Sequence, residues 1–344
     1  MKIKKMMLIY GVFFFLIFHS QGFSFNSKTE FTLSGKTMGT FYTIKFLSDK
    51  NEDVNSWQTR VDICLKDINK TFSMFDPESR LSRFNREKIN TDMRVPSDFY
   101  SVLLTSQNLY HLTQGAWDGT VKPLVDLWGF GTKNSENKIP DPSEITLGLS
   151  KTGFHHIRLS ENHTISKDAD VTLDLSSIAK GYGVDAVAAL FLSSGIHDVL
   201  IEIGGELYGA GKNKKGEPWA VGISRPDKDN SKHGLFKIVR LSNQAIATSG
   251  NYRNFFELNG KAYSHIIDPK TGFPMDNQIV SASVISKDCT FADGLATALM
   301  VMDVEESLRL VNSLEGTECM ILKKNGGGDI ESHMSKNFQR SLSD

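Results

Sequence analysis

Hydrophobic residues recur along this chain at two spacings, one helical and one extended. Over 55–72, Trp57, Val61, Ile63, Leu65, Ile68 and Phe72 fall at roughly helical spacing and predict an amphipathic helix. A second helix is predicted over 97–113, with Ser97 placed to cap it ahead of Phe99, Val102, Leu103 and Leu109. A third covers 177–193, carrying Ile178, Val184, Val187, Leu190 and Phe191, and two more cover 290–302 and 304–313. Runs rich in β-branched and aromatic residues read as strands: TFYTIKF from Thr40, VTLDL at 171–175, HDVLIEIGG, WAVGISRP, FKIVRLS, AIATSG and residues 279–286. Asn259-Gly260 marks a hairpin between FFEL and KAYSHIID. CMILKK and DIESHMS, joined by Asn325 and three glycines, form another. The stretch from Gly129 to Pro142 is rich in Gly, Lys, Asn and Pro and predicts a surface loop.

Helices are interspersed with hairpin-linked strands, without regular βαβ alternation. That pattern predicts an α+β fold of mixed or antiparallel sheets with flanking helices. No repeat or linker divides the chain, so 34–344 read as one large domain behind a polar lead-in at 23–33. At the front, Lys2, Lys4 and Lys5 precede a run of roughly 13 apolar residues, Met6 to Phe18, and then Ser20 and Gly22. Residues 1–22 therefore read as a signal peptide cleaved before Phe23, or as a retained anchor. Either reading makes the protein exported, periplasmic or held at the outer face of the inner membrane. No cysteine follows the run to take a lipid.

A formal charge of −1 gives no reason to expect nucleic acid as a partner, so any phosphate must be held locally. Cys64, Cys289 and Cys319 are odd in number and lack metal spacing, and are expected as buried free thiols.

Four segments set polar groups into apolar surroundings. In DLSSIAKGYG, Asp174 ends a predicted strand and Lys180 stands in the following helix, where amides and an ammonium suit a phosphate. An ordinary serine-capped helix with a surface lysine would look the same. In FADGLATALMVM, Asp293 and Thr297 are four apart on one helical face, and both can reach one hard cation such as magnesium. A threonine bonding back to its own turn is the plain alternative. His265-Ile-Ile-Asp268-Pro269 places a histidine before a proline turn, where it can face a cleft, although the turn alone would account for the aspartate. Finally GAWDGT offers Trp117 beside Asp118, and TSGNYR puts Arg253 near a glycine turn. A flat aromatic ligand could stack on Trp117, though most tryptophans are core.

Taken together and in order, GKTMGTFYTIKF, FDPESRLSRFN, GAWDGTVKPLVDLWGFG, DLSSIAKGYGVDAV, IEIGGELYGAG, ATSGNYRNFFELNGKAYSHIIDPKTGFP and FADGLATALMVM resemble the ApbE family of FAD:protein FMN transferases from about Gly35 to Met302. The resemblance implies a T-fold-like ApbE domain. It implies FAD contacts at Met38, Phe75, Ala116, Trp117, Asp118, Asp174, Lys180 and Ile267, to which we add Arg253. It implies magnesium held by Asp293 and Thr297 with the carbonyls of Ser177 and Ala296, and His265 in the transfer step. Asp118 and Asp174 are spare carboxylates for a second metal. Gly119 and Gly294 stand where proline and alanine are frequent in the family, and Ser177 where alanine is usual.

The expected reaction moves FMN from FAD to a threonine or serine hydroxyl of an acceptor protein, releasing AMP. An imidazole titrates at about 6.5, which suits His265 as base, with Asp268 expected to orient it. The resemblance implies acceptors among the flavoprotein subunits of inner-membrane redox complexes. Two rival activities use the same site: an FAD pyrophosphatase giving FMN and AMP, and a non-catalytic FAD-binding protein.

Overall fold

The computed structural model describes residues 28–131, 138–226, 234–251, 255–258 and 260–342. Its centre is an eight-stranded sheet in the order β1-β2-β6-β7-β10-β13-β14-β15. These strands are β1 (Thr29–Thr37), β2 (Thr40–Ser48), β6 (Val199–Ile203), β7 (Glu206–Ala210), β10 (Gln244–Gly250), β13 (Ile279–Ser286), β14 (Glu318–Lys324) and β15 (Ile330–Met334). Every strand pair among the described residues is antiparallel. The α+β expectation holds.

Strand β1 corrects the domain boundary. The first half of this strand lies in what the sequence suggests is a lead-in. It belongs to the sheet because Phe31 and Leu33 pair with Phe46 and Ile44 of β2, and the two phenylalanine rings stack at 5.1 Å. Only these two large apolar residues mark the alternation, which leaves its sequence signal short.

One face of the sheet is covered by helices α1 (Val54–Phe72), α6 (Ser176–Ser193) and α7 (Cys289–Val301), with α3 (Ser97–Leu112) packed on α6 and α7, and all share one core with it. The opposite face is closed by the hairpin of β8 (Trp219–Ser224) and β9 (Leu235–Leu241), through Val221, Ile223, Val239 and Leu241. Strand β13 is therefore buried along its whole length. A smaller sheet of β3 (Met93–Arg94), β4 (Ile157–Ser160) and β5 (Thr164–Lys167) joins the same core through Ile157 and Ile165. Helix α1 buries Trp57, Val61, Leu65, Ile68 and Phe72 as its spacing predicts, but leaves Ile63 exposed because it falls off the stripe. Helix α3 begins one residue beyond its cap at Pro96, so Ser97 is helical and does not cap it.

Residues 171–175 are not a strand. Their backbone groups are taken elsewhere: Leu173 N–H donates to Asn85 Oδ1 at 2.8 Å and Asp174 N–H to the Gly119 carbonyl at 2.7 Å. A third, smaller apolar cluster brings α4 (Lys122–Leu127) and α5 (Pro142–Leu149) against the hairpin of β11 (Phe255–Leu258) and β12 (Lys261–Ser264). The three cysteines are unpaired, Cys289 and Cys319 buried and Cys64 partly so. No helix among the described residues is long and apolar enough to cross a membrane, and residues 1–22 lie outside that set.

Candidate active site

Helices α6 and α7 pack side by side, and a cleft of about 380 Å³ opens where they meet the ends of β7 and β10. Asp174, Ser177, Lys180, Glu206, Asp293 and Thr297 line it, together with Ala116, Trp117, Asp118, Val125, His265 and Ile267.

The close approach of the two helices depends on Gly181. A Cβ there would lie 2.3 Å from the Cys289 carbonyl oxygen and 2.8 Å from the Asp293 Cβ. The Gly181 N–H donates to Asp293 Oδ2 at 2.9 Å. In a regular helix that donor serves the carbonyl four residues back, which here is Ser177. The bond to Asp293 draws it toward α7.

Lys180, one residue earlier, sends its ammonium to within 3.3 Å of Glu206 Oε1 and 3.7 Å of Asp293 Oδ1. Burial opposes that positive charge, but the two carboxylates outweigh it and hold the ammonium above the ordinary lysine range. Burial also raises both acids: Asp293 lies above its usual value, and Glu206, further raised by the Asp293 charge, reaches about 8. Glu206 Oε2 is buried without a protein partner. The Gly204-Gly205 turn before it has positive φ angles of 63° and 106°, which glycine adopts without strain.

Thr297 Oγ1 lies 3.0 Å from Ser249 Oγ of β10 and 3.3 Å from the Asp293 carbonyl oxygen. Asp293 and Thr297, with the Ser177 carbonyl at the head of α6, are hard oxygen donors that suit magnesium. No cluster of three or more His, Cys, Asp or Glu residues of metal-binding type occurs among the described residues. A cation here would therefore depend on hydroxyl, carbonyl, water and ligand oxygens as well as Asp293.

His265 follows β12 on a loop that is firmly tied down. Trp128 Nε1–H donates to the Gly272 carbonyl at 2.8 Å, Met275 N–H to the Ile266 carbonyl at 2.8 Å, and Asp268 N–H to the Phe273 carbonyl at 2.9 Å. The imidazole meets the Phe130 ring edge-on, with centroids 6.3 Å apart. It thus lines the same cleft as Lys180, Glu206 and Asp293 from a fixed support.

The sequence model of the ApbE family matches residues 38–321, a span that includes every cleft residue named above. The chain belongs to the ApbE family. The FAD:protein FMN transferase of Vibrio cholerae is 41% identical over 313 residues, spanning 90% of this chain and 92% of that protein. That of Haemophilus influenzae is 38% identical over 303 residues, 86% and 87% of the two chains. Among solved structures, the flavin transferase ApbE from Vibrio cholerae superposes with a TM-score of 0.83 at 37% identity, covering 92% of this chain and all of that one. The apo form of the Pseudomonas stutzeri flavinyl transferase ApbE gives 0.83 at 31% identity, covering 92% and 97%.

In this ApbE-family chain the cleft gathers ten of the residues singled out from sequence: Ala116, Trp117, Asp118, Asp174, Ser177, Lys180, His265, Ile267, Asp293 and Thr297. Four stand apart. Ala296 is fully buried in α7 and does not line the cleft. Met38 sits in the β1–β2 turn with φ 48°, its methyl lying over Gly183 of α6. Phe75 is 84% exposed on the loop after α1. Arg253 lies outside the described residues.

Three expected roles are corrected. Asp268 does not orient His265: its carboxylate accepts from Lys270 N–H and Thr271 Oγ1–H, both at 2.9 Å, and so holds the proline turn. Trp117 offers no stacking face, because its ring is 1% exposed and its Nε1–H is bonded to Ser177 Oγ at 3.1 Å. Asp118 is no spare ligand. It accepts from Thr120 N–H, Thr120 Oγ1–H and Phe154 N–H, and burial raises its pKa. Glu206 is the cleft residue that sequence reasoning missed. Its one signal was an acid at an otherwise apolar position directly after a Gly-Gly turn.

Proposed function

We propose that this chain transfers the FMN part of FAD to a threonine or serine hydroxyl of an acceptor protein, with magnesium at Asp293, Thr297 and the Ser177 carbonyl. The observation that carries this reading is that His265 lines the same cleft as a set of hard oxygen donors and the Lys180 ammonium.

The hydroxyl oxygen attacks the FMN phosphorus of the anhydride, the bond from that phosphorus to the bridging oxygen breaks, and AMP leaves. His265 takes the hydroxyl proton, which makes a weak nucleophile competent near neutral pH. Lys180 supplies fixed positive charge beside the phosphates, and its two carboxylate neighbours keep it ionised. The cation neutralises pyrophosphate charge when bound. Val121, Val125 and Ile267 give the cleft an apolar wall suited to a flat ring. An exported enzyme acting on flavoprotein subunits of inner-membrane redox complexes fits the basic-then-apolar segment at 1–22.

The test incubates the purified protein with FAD, magnesium and a flavoprotein-subunit acceptor, followed by intact mass spectrometry of the acceptor. A mass gain of one FMN, abolished by EDTA and by substitution of the acceptor hydroxyl, supports the transfer. An unchanged acceptor with steady release of FMN and AMP makes the protein a pyrophosphatase; tight FAD binding without turnover makes it a binder.

A further inference from the structure

We propose that Asp185 is a positioning residue for the cation site, acting from the far end of the α6–α7 contact. Ser177, Gly181 and Asp185 are spaced four apart on α6, and Cys289, Asp293 and Thr297 four apart on α7, so each set forms one stripe along its helix. The stripes meet antiparallel. Asp185 bonds to the first residues of α7, Gly181 touches Cys289 and Asp293, and Ser177 and Thr297 both line the cleft at the other end.

The bonds at Asp185 form a helix cap supplied by a neighbouring helix. Its Oδ1 accepts from Cys289 N–H at 2.8 Å, and its Oδ2 accepts from Thr290 N–H at 2.8 Å and from Thr290 Oγ1–H. Asp288 takes the next donor, Phe291 N–H, at 2.9 Å. The first turn of α7, which has no intrahelical acceptors, is thus satisfied in part from α6. A negative charge there also suits the positive end of the helix dipole.

The consequence is geometric. Asp293 and Thr297 ride on α7, whereas the Ser177 carbonyl and Lys180 ride on α6, so a ligand set drawn from both helices exists only in one register between them. Gly181 sets how close the helices come, and Asp185 sets how far one can slide along the other. Asp185 lies eight residues from Ser177, about 12 Å along the helix, and does not line the cleft. Groups bonded directly to a metal ligand typically alter metal affinity by about 10–100-fold when replaced, and Asp185, which holds the helix and not a ligand, falls at the low end of that range.

The inference rests on the cation-dependent FAD reading above, and its test separates the two. Purified protein mixed with FAD is titrated with magnesium chloride, and FAD binding is followed by flavin fluorescence anisotropy. Asp185→Asn turns one acceptor oxygen into a donor that faces donors. It is expected to raise the half-saturating magnesium concentration by about 10-fold, with FAD affinity recovering at saturating magnesium. Thr290→Val removes one bond of the three and should shift the curve in the same direction by less; if Asp185→Asn does not fold, this variant decides. Val311→Ala, in the core beneath helix α8 (Val304–Ser313), serves as a control for general loss of stability and should leave half-saturation in place. An Asp185→Asn curve that coincides with wild type, or moves only as far as Val311→Ala, overturns the proposal. Wild-type FAD binding that ignores magnesium would instead sink the reading beneath it.

Discussion

Lys180 Nζ stands 3.3 Å from Glu206 Oε1, so a lysine of α6 and an acid of β7 meet in the lining of the cleft with Asp293 beside them. Two acids share one ammonium there, and burial with the Asp293 charge pushes Glu206 up to about 8. An acid whose pKa is raised on folding contributes stability at low pH that is lost as pH climbs through the folded value. In metal-free protein that loss falls between about 4.5 and about 8. The Lys180 shift lies above the ordinary lysine range and does not enter this window. Melting temperature in EDTA should therefore decline across that interval, and Glu206→Gln should flatten the decline. Parallel curves for the two proteins would show that Glu206 is not the group responsible.

His265→Ala should lower transfer by at least about 100-fold, the usual lower bound for loss of a general base. FAD affinity should change by no more than about 3-fold, because the loop stays held by Trp128 and Met275 whatever occupies that position. Single-turnover mass spectrometry and FAD titration measure the two effects separately. Near-normal transfer would remove His265 from the mechanism.

Asp268→Ala tests the turn-holding role. It forfeits two local hydrogen bonds, a loss of about 1 kcal/mol each, and should cost stability while reducing transfer far less than His265→Ala does. Comparable losses in the two variants would restore Asp268 as a partner of the histidine.

Gly181→Ala places a methyl 2.3 Å from a backbone oxygen that no side-chain rotation can move. The expected result is α6 and α7 forced apart, at a cost of about 1–3 kcal/mol in urea unfolding. Magnesium should also bind more weakly, since the Asp293 carboxylate loses its bond to the Gly181 amide. Unfolding as stable as wild type would mean that the helix pair yields more readily than its packing indicates.

Much of the cleft was legible in the sequence because its chemistry is carried by local spacing. Asp293 and Thr297 share a helical face wherever that helix lies, and the proline turn after His265 fixes the loop from nearby residues. Asp268 was misread for the same reason: its partners, Lys270 and Thr271, are two and three residues away, and local turn bonding took the carboxylate meant for the histidine. The segment 171–175 alternates as a strand does but finds no neighbouring edge, because Asn85 and Gly119 occupy its backbone groups from distant points in the chain.

By itself the sequence determined the α+β class, the main helices, the hairpins and the oxygen and imidazole groups of the site, because each depends on periodicity or on residues close in the chain. Only the tertiary structure decided that β1 starts at Thr29, that Trp117 turns inward, and that Glu206 stands beside Lys180. It alone also placed Asp185 on the end of α7, 104 residues away. Those relations join positions far apart in sequence, and they exist only because the sheet order and the close α6–α7 contact bring the positions together.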